Sequence, residues 1–189
     1  AFLINEGTFD VSGGGNWSIR NTGGGISNLV GALFSSSGNG MTLSGDLTDK
    51  EFVNLGTVRA DDSSTLRINM SYRGTGEIQA TNDGIVMFQD STLPNGGSIF
   101  SSQTIFRTGG GGQIRLGGEF TSIEGRIMGT SNVVLYSGSW LGDGSPSYID
   151  VDGGSHGLPE LDIEGHNGIP NVFGGGNDIL EFRSPIRHN

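Results

Sequence analysis

A short triplet, glycine followed by any residue and then an apolar residue, recurs along the chain at an almost constant spacing. Successive apolar members lie 20 or 21 residues apart. A unit of that length is too short to bury its own apolar side, so it must stack on neighbouring units. The five triplets are Gly56-Thr57-Val58, Gly76-Glu77-Ile78, Gly97-Ser98-Ile99, Gly118-Glu119-Phe120 and Gly138-Ser139-Trp140.

The composition indicates short strands joined by tight turns. Glycine supplies 36 of the 189 residues, and no stretch shows helical spacing of apolar residues. Glycine, asparagine and aspartate tolerate the backbone angles of sharp corners. We therefore predict an all-β chain that folds as a single-stranded right-handed parallel β-helix, or β-solenoid, with coils of about 20 residues. The hand follows the general preference for right-handed crossovers. The predicted inward ladder is Val58, Ile78, Ile99, Phe120 and Trp140, with Thr121 pointing outward.

The N-terminal part repeats the same phrase. Residues 5–9 align with residues 54–58, and the alignment continues without a gap to place Trp17 against Leu66. Residues 23–45 fit the period less well and predict a shorter or irregular coil. The last part holds four of the five prolines, which strand ladders disfavour. We predict a solenoid over residues 1–142 and an irregular C-terminal coil or cap of the same domain over residues 143–189.

Several of these phrases resemble a known class of protein. Residues 54–60 (NLGTVRA), 74–80 (GTGEIQA), 95–99 (NGGSI) and 121–128 (TSIEGRIM) are similar to coils of large bacterial surface proteins. That class includes haemagglutinin-like adhesins and autotransporter passenger domains. The resemblance implies a β-solenoid, an extracellular or cell-surface location, and a structural or adhesive function.

The net charge of the chain limits the classes of partner that it can bind. With 20 acidic and 10 basic residues the formal net charge is −10, which disfavours nucleic acid. No apolar run approaches the length of a membrane span, so we predict no membrane insertion. The predicted partners are copies of the chain, which would form a fibre or oligomer, and a glycan or host surface.

Both ends of a solenoid are strand templates, and this motivates a self-assembly hypothesis. Apolar segments lie near both ends of the sequence. We predict that strands from these segments pair with a neighbouring subunit, and keep pairing within the chain as the alternative. The residues are Phe2, Leu3, Ile4, Ile179, Leu180 and Phe182.

Oxygen-bearing side chains suggest one cofactor, calcium. Asp150 and Asp152 alternate along one segment, and Asn177 with Asp178 follows a run of glycines. Carboxylate and amide oxygens are ligands that calcium accepts. We favour ordinary turn chemistry without a cofactor at these residues and keep a calcium site as the alternative.

An enzyme is the less favoured alternative. Glycan hydrolases need carboxylates that face each other, and the adjacent pair Asp61 and Asp62 is the only candidate in the predicted solenoid. That pair lies between two predicted strands, where a turn also favours aspartate. We predict no catalysis, and keep a glycan-binding module or a pectin-lyase-like polysaccharide lyase or hydrolase as the alternative.

Overall fold

The computed structural model describes residues 2–19, 24–45, 50–89, 98–129, 133–135, 139–141, 147–153, 161–163, 171–173, 180–182 and 186–188. These residues form β-strands and connecting turns and contain no helix. The strands pair in parallel and stack as a β-solenoid, which confirms the predicted fold class. The coils average about 24 residues, somewhat more than the predicted 20. The right-handed sense stays a prediction.

Each regular coil contributes one strand to each of three walls. The first and second walls belong to one 15-stranded sheet, since one long strand joins both, and the third wall is a separate 8-stranded sheet. The first wall contains β1 (Phe2–Asn5), β4 (Gly25–Asn28), β7 (Glu51–Asn54), β10 (Ser71–Gly74), β13 (Ser98–Phe100) and the start of β16 (Glu119–Gly129).

The second and third walls follow the same order along the chain. The second wall contains β2 (Thr8–Val11), β5 (Leu33–Ser37), β8 (Thr57–Asp61), β11 (Glu77–Ala80), β14 (Ile105–Thr108) and the end of β16. The third wall contains β3 (Gly15–Ile19), β6 (Met41–Gly45), β9 (Thr65–Asn69), β12 (Ile85–Phe88), β15 (Gln113–Leu116), β17 (Val133–Leu135), β20 (Leu161–Ile163) and β23 (Ile186–His188).

The segment from residue 143 onward continues the parallel pairing. Its described strands are β19 (Ser147–Gly153), β20, β21 (Asn171–Phe173), β22 (Leu180–Phe182) and β23, and β21 pairs with β18 (Ser139–Leu141). β19 lies on β16, and β22 lies on β19. The residues between these strands lie outside the described ranges, so an irregular cap over residues 143–189 stays a prediction.

Aromatic side chains fill the centre of the solenoid. Phe34, Phe52, Tyr72, Phe100 and Phe106 are all buried, and consecutive ring centroids lie 5.4, 6.2, 4.9 and 5.7 Å apart. These distances are typical of aromatic pairs whose rings attract one another. The column joins coils that contact only their neighbours, and it gives the solenoid a continuous core.

The five residues of the predicted inward ladder do not stack in one row, so that prediction is wrong. Val58 does stack on Ile78, but Ile78 stacks on Phe106 rather than Ile99. Ile99 lies on the first wall beside Arg73 and is only half-buried. The backbone of Phe120 pairs with Ser98 and with Trp140, again on the first-wall side. Some triplets belong to second-wall strands and others to first-wall strands. Their regular spacing therefore does not follow a single ladder.

The observed inward ladder of the second wall starts in the first coil. Its members are Phe9, Phe34, Val58, Ile78, Phe106 and Ile127. The alignment of residues 5–9 with 54–58 is therefore confirmed.

Three smaller expectations are wrong. Trp17 stacks on Leu43 and through it on Ile68, two residues away from the predicted partner Leu66. The described part of residues 23–45 forms three regular strands, β4 to β6. Thr121 is buried rather than outward, because a register irregularity separates Ser98 from Ile99 where β13 pairs with β16.

Candidate interaction site at the N-terminal coil

The first coil has a neighbour on one side only. Within the described residues, β1, β2 and β3 each pair with a single strand, respectively β4, β5 and β6. Strands that lack one neighbour present backbone N–H and C=O groups to any strand that approaches. Within the described residues, one side of the N-terminal coil thus has backbone groups that no other strand pairs.

Backbone hydrogen bonds show which groups this template offers. Leu33, Thr57 and Glu77 are stacked equivalents, and each donates its amide to the preceding coil: to the carbonyl oxygens of Gly7, Ala32 and Gly56, at 2.8 Å in each case. Thr8 is the equivalent residue of the first coil. No coil described by the structure precedes Thr8, so its amide faces the open side.

Core positions of the first coil are incompletely covered. Leu3 and Phe9 are half-buried, whereas their stacked equivalents Ile26 and Phe34 are 2% and 0% exposed. Trp17 occupies an inward position of the third wall and is still 42% exposed. Covering such side chains with another coil removes apolar surface from water, which is favourable.

Two further apolar side chains flank the open coil. Phe2 and Ile4 are 62% and 58% exposed, on the opposite side of β1 from Leu3. The Phe9 ring stacks on Phe34 of the second coil, with 5.0 Å between ring centroids. It also meets Trp17 of its own coil edge-on, with 5.1 Å between centroids. The aromatic contacts hold the open coil in place on the second coil.

A ladder of buried asparagines also ends at this coil. Asn5 donates a side-chain hydrogen bond to the Oδ1 of Asn28, and Asn28 donates one to the Oδ1 of Asn54, both at 2.8 Å. The second N–H of each amide binds a carbonyl at the start of the next coil's second-wall strand, Leu33 for Asn5 and Thr57 for Asn28. Buried amides that are satisfied in this way fix the stacking register.

The asparagine ladder ends inside the solenoid for a steric reason. Gly74 occupies the next position after Asn54, and a Cβ there would lie 1.9 Å from the Asn54 carbonyl oxygen. No side chain fits, so the Tyr72 hydroxyl accepts the Asn54 amide at 3.1 Å. The pKa of the Tyr72 phenol is raised, because burial disfavours its anion more than the Asn54 hydrogen bond favours it.

The structure places the predicted self-assembly residues at the two ends of the strand order. Phe2, Leu3 and Ile4 lie in the open first coil. Leu180 and Phe182 lie in β22, whose backbone pairs with β19 within the chain, and Ile179 lies outside the described residues. Their role in assembly stays a prediction.

The predicted calcium ligands are placed only in part. Asp150 and Asp152 lie on β19, where their backbone positions pair with Glu124 and Arg126. Asn177 and Asp178 lie outside the described residues. The described part of the chain contains no group of three or more His, Cys, Asp or Glu residues suited to a metal. Calcium binding stays a prediction.

The pair Asp61 and Asp62 forms a corner between the second and third walls. Asp61 accepts hydrogen bonds from the Asp62 amide at 3.0 Å and the Asn82 side chain at 2.8 Å, and Asp62 has a positive φ of 52°. Burial, which alone raises a carboxyl pKa, is outweighed by these hydrogen bonds, so the pKa of Asp61 is lowered. Both observations fit the turn interpretation.

The outer face of the third wall lacks acidic residues over its first six strands only. In β20, which follows them, Asp162 continues the backbone row of Arg115 and Val134. The strands β3, β6, β9, β12, β15 and β17 contain no aspartate or glutamate. Their basic residues, Arg67 and Arg115, stack on either side of Met87 in one outward row. At about 4.8 Å per coil the two arginines are separated by about 10 Å. Asn69 lies in the same wall, and its Oδ1 is buried without a hydrogen bond in the described structure.

Comparison with protein-family models, with curated proteins and with solved structures finds no match to this chain. Among the described residues, no helix is long and apolar enough to cross a membrane.

Proposed function

We propose that the chain is an extracellular structural or adhesive solenoid whose copies assemble into a fibre or matrix by end-to-end strand pairing. The observation that supports the proposal is the open first coil, where Leu3, Phe9 and Trp17 occupy core positions and remain partly exposed. Parallel strand addition satisfies the open backbone groups and covers this apolar surface. The resemblance to bacterial surface proteins supports the extracellular location.

A charge at the open coil tests this proposal. Leu3→Lys places an ammonium group at a core position that a joining coil would cover, which opposes pairing. Val30→Lys adds the same charge at a side chain that is 81% exposed in a turn and is the matched control. Circular dichroism verifies that both variants fold.

Sedimentation velocity over a range of concentrations, with electron microscopy of the same samples, gives the readout. We expect the wild type and Val30→Lys to form end-to-end particles whose size rises with concentration, while Leu3→Lys stays monomeric. A wild type that remains monomeric at its highest soluble concentration contradicts self-assembly.

Glycan binding along the third wall is the second candidate. The acid-free strands that carry Arg67 and Arg115 favour it, because guanidinium groups bind carboxylates. We expect the double variant Arg67→Gln/Arg115→Gln to lose retention on immobilised polygalacturonate. Arg73→Gln, which removes a charge paired with Glu51 on the first wall, is the control. Equal retention of all three proteins contradicts this candidate, and release of reducing ends would show catalysis instead.

A further inference from the structure

The second and third walls each carry two arginines in one outward row, two coils apart. The second-wall row is Arg59, Gln79 and Arg107, and the third-wall row is Arg67, Met87 and Arg115. A spacing of about 4.8 Å per coil separates the two arginines of each row by about 10 Å. The two rows therefore match in charge and in spacing, and they differ in what surrounds the charges.

The second-wall arginines lie beside carboxylates of their own wall. The Nε of Arg107 forms an ion pair with the Oε1 of Glu77. Arg59 interacts electrostatically with Asp61, which ends the same strand, and helps to lower the pKa of that carboxyl. Carboxylates of the same sheet therefore offset the positive charge of this row.

The third-wall arginines lie on strands without carboxylates. The strands β9, β12 and β15, which carry this row, contain no aspartate or glutamate. Arg67 has no ion pair among the described residues. Arg115 donates to the Oε1 of Gln113 at 3.4 Å, and a bond to a neutral amide does not neutralise a guanidinium. The third-wall row therefore keeps a positive charge that attracts anions.

The spacing of this row restricts which anionic polymer fits along the solenoid axis. Side chains on one face of an extended peptide repeat about every 7 Å, which does not match two arginines about 10 Å apart. In an extended β-linked polysaccharide, each pyranose ring lengthens the chain by about one coil spacing. Carboxylates on every second ring then lie about two coils apart, as Arg67 and Arg115 do.

Apolar side chains lie between the two arginines. Met87 occupies the middle of the row, and Ile85 lies on the same face of the same strand, next to it. Both side chains are half-buried, so part of each faces outward. Such a surface packs against the C–H face of a sugar ring, whereas a carboxylate held over it loses water without gaining a charge partner. The middle ring should therefore be neutral.

We propose that the third-wall row binds an extended acidic polysaccharide that runs along the solenoid axis and carries a carboxylate on every second ring. Arg67 and Arg115 each bind one carboxylate, and the neutral ring between them packs on Met87. This inference rests on the glycan-binding candidate for the same wall, and it names the class and the direction of the ligand.

The probes are two oligosaccharides of alternating glucuronate and N-acetylglucosamine. The tetrasaccharide carries two carboxylates, two rings apart, and the disaccharide carries one. Both are titrated by calorimetry into the wild type, Arg67→Gln, Arg115→Gln and the double variant Arg59→Gln/Arg107→Gln. The double variant removes two arginines of the same spacing from the second wall and is the matched control. Circular dichroism verifies that each variant folds.

We expect the wild type to bind the tetrasaccharide about tenfold more tightly than the disaccharide, because the second carboxylate adds one charged hydrogen-bonded contact. Arg67→Gln and Arg115→Gln should each remove that advantage, and the second-wall variant should keep it. Equal affinity for the two oligosaccharides, no binding of either, or the same loss in the second-wall variant overturns the inference. Binding of a tetraglutamate peptide as tight as that of the tetrasaccharide overturns the preference for sugar.

Retention on polygalacturonate tests the glycan-binding candidate separately. Retention that depends on Arg67 and Arg115, together with equal affinities for the two oligosaccharides, would leave that candidate intact and remove only the alternating ligand.

Discussion

Residues 5–9 and residues 54–58 share the phrase Asn-x-Gly-Thr-apolar and adopt the same local structure, yet they differ in burial. Val58 is completely buried, whereas Phe9 at the equivalent position is half-buried. Asn54 receives an N–H from Asn28, whereas no described coil donates to Asn5 in this way. The motif thus fixes where a residue lies within its coil, and the neighbouring coils decide how much that residue contributes to stability.

The largest contrast between a closed coil and the open one is expected at two stacked first-wall positions, Phe52 and Leu3. Phe52 is fully buried between Phe34 and Tyr72, so Phe52→Ala leaves a cavity and should cost about 3–5 kcal/mol of unfolding free energy. Leu3 is only half-buried, and Leu3→Ala should cost about 1 kcal/mol. Urea unfolding measures both. Similar losses for the two variants would show that the first coil is as covered as the third.

The asparagine ladder gives the next contrast. Asn54→Ala removes the NH2 group that donates to the Tyr72 hydroxyl and the Glu77 carbonyl, and the oxygen that accepts from Asn28. The loss should lower the unfolding free energy by about 2–3 kcal/mol. Asn5→Ala removes bonds next to the open side, where water can replace them, and should cost about 1 kcal/mol by the same reasoning. Chemical denaturation of both variants tests the order, and a larger loss for Asn5→Ala would reverse it.

Ionisation of Tyr72, at the end of the asparagine ladder, should make the free energy of unfolding depend on pH. Its pKa is raised above the ordinary 10.0, so the folded state holds the phenol proton more tightly than the unfolded state. The stabilisation is complete below pH 10 and is lost as the pH rises through the folded pKa, with a slope of up to about 1.4 kcal/mol per pH unit. Tyr72→Phe should cost about 1–2 kcal/mol at neutral pH, because Asn54 loses an acceptor, and should remove this slope. Unfolding curves between pH 8 and pH 11 measure how stability depends on pH. The same dependence in Tyr72→Phe would refute its assignment to Tyr72.

The smallest effect is expected at the corner aspartate. The pKa of Asp61 is lowered, so its contribution is present above its ordinary pKa and is lost as the pH falls through the folded pKa. Its hydrogen bonds lie near the surface, so Asp61→Asn should cost less than about 0.5 kcal/mol at pH 7 and less again at acid pH. Thermal melts at the two pH values measure this, and a large loss would mean that the corner contributes more than a turn.

The sequence predicted the stacking of coils but not the assignment of strands to walls. Gly56 and Gly76 precede second-wall strands, whereas Gly118 precedes the first-wall part of β16, and a glycine corner looks alike in both places. The true continuation of the second-wall ladder runs through Phe106, where Thr104 replaces the glycine of the triplet. Gly125-Arg126-Ile127 then restores the triplet, and this was the signal available for the correct ladder.

The asparagine ladder was missed for a related reason. Asn5, Asn28 and Asn54 are separated by unequal numbers of residues, so no fixed period aligns them. Only Asn5 and Asn54 belong to the repeated phrase that the sequence reveals. The exposure of Trp17 also depends on which neighbour a coil lacks, and that property is absent from the local sequence.

Hydrogen exchange of four equivalent amides tests most directly the claim that the first coil differs from the others because no described strand pairs with its other side. At a concentration where the protein sediments as a monomer, the amides of Leu33, Thr57 and Glu77, which donate to preceding coils, should exchange only through large-scale opening. The amide of Thr8 should exchange rapidly. Protection of Thr8 equal to that of Thr57, or exchange of Thr57 as fast as that of Thr8, would contradict the account.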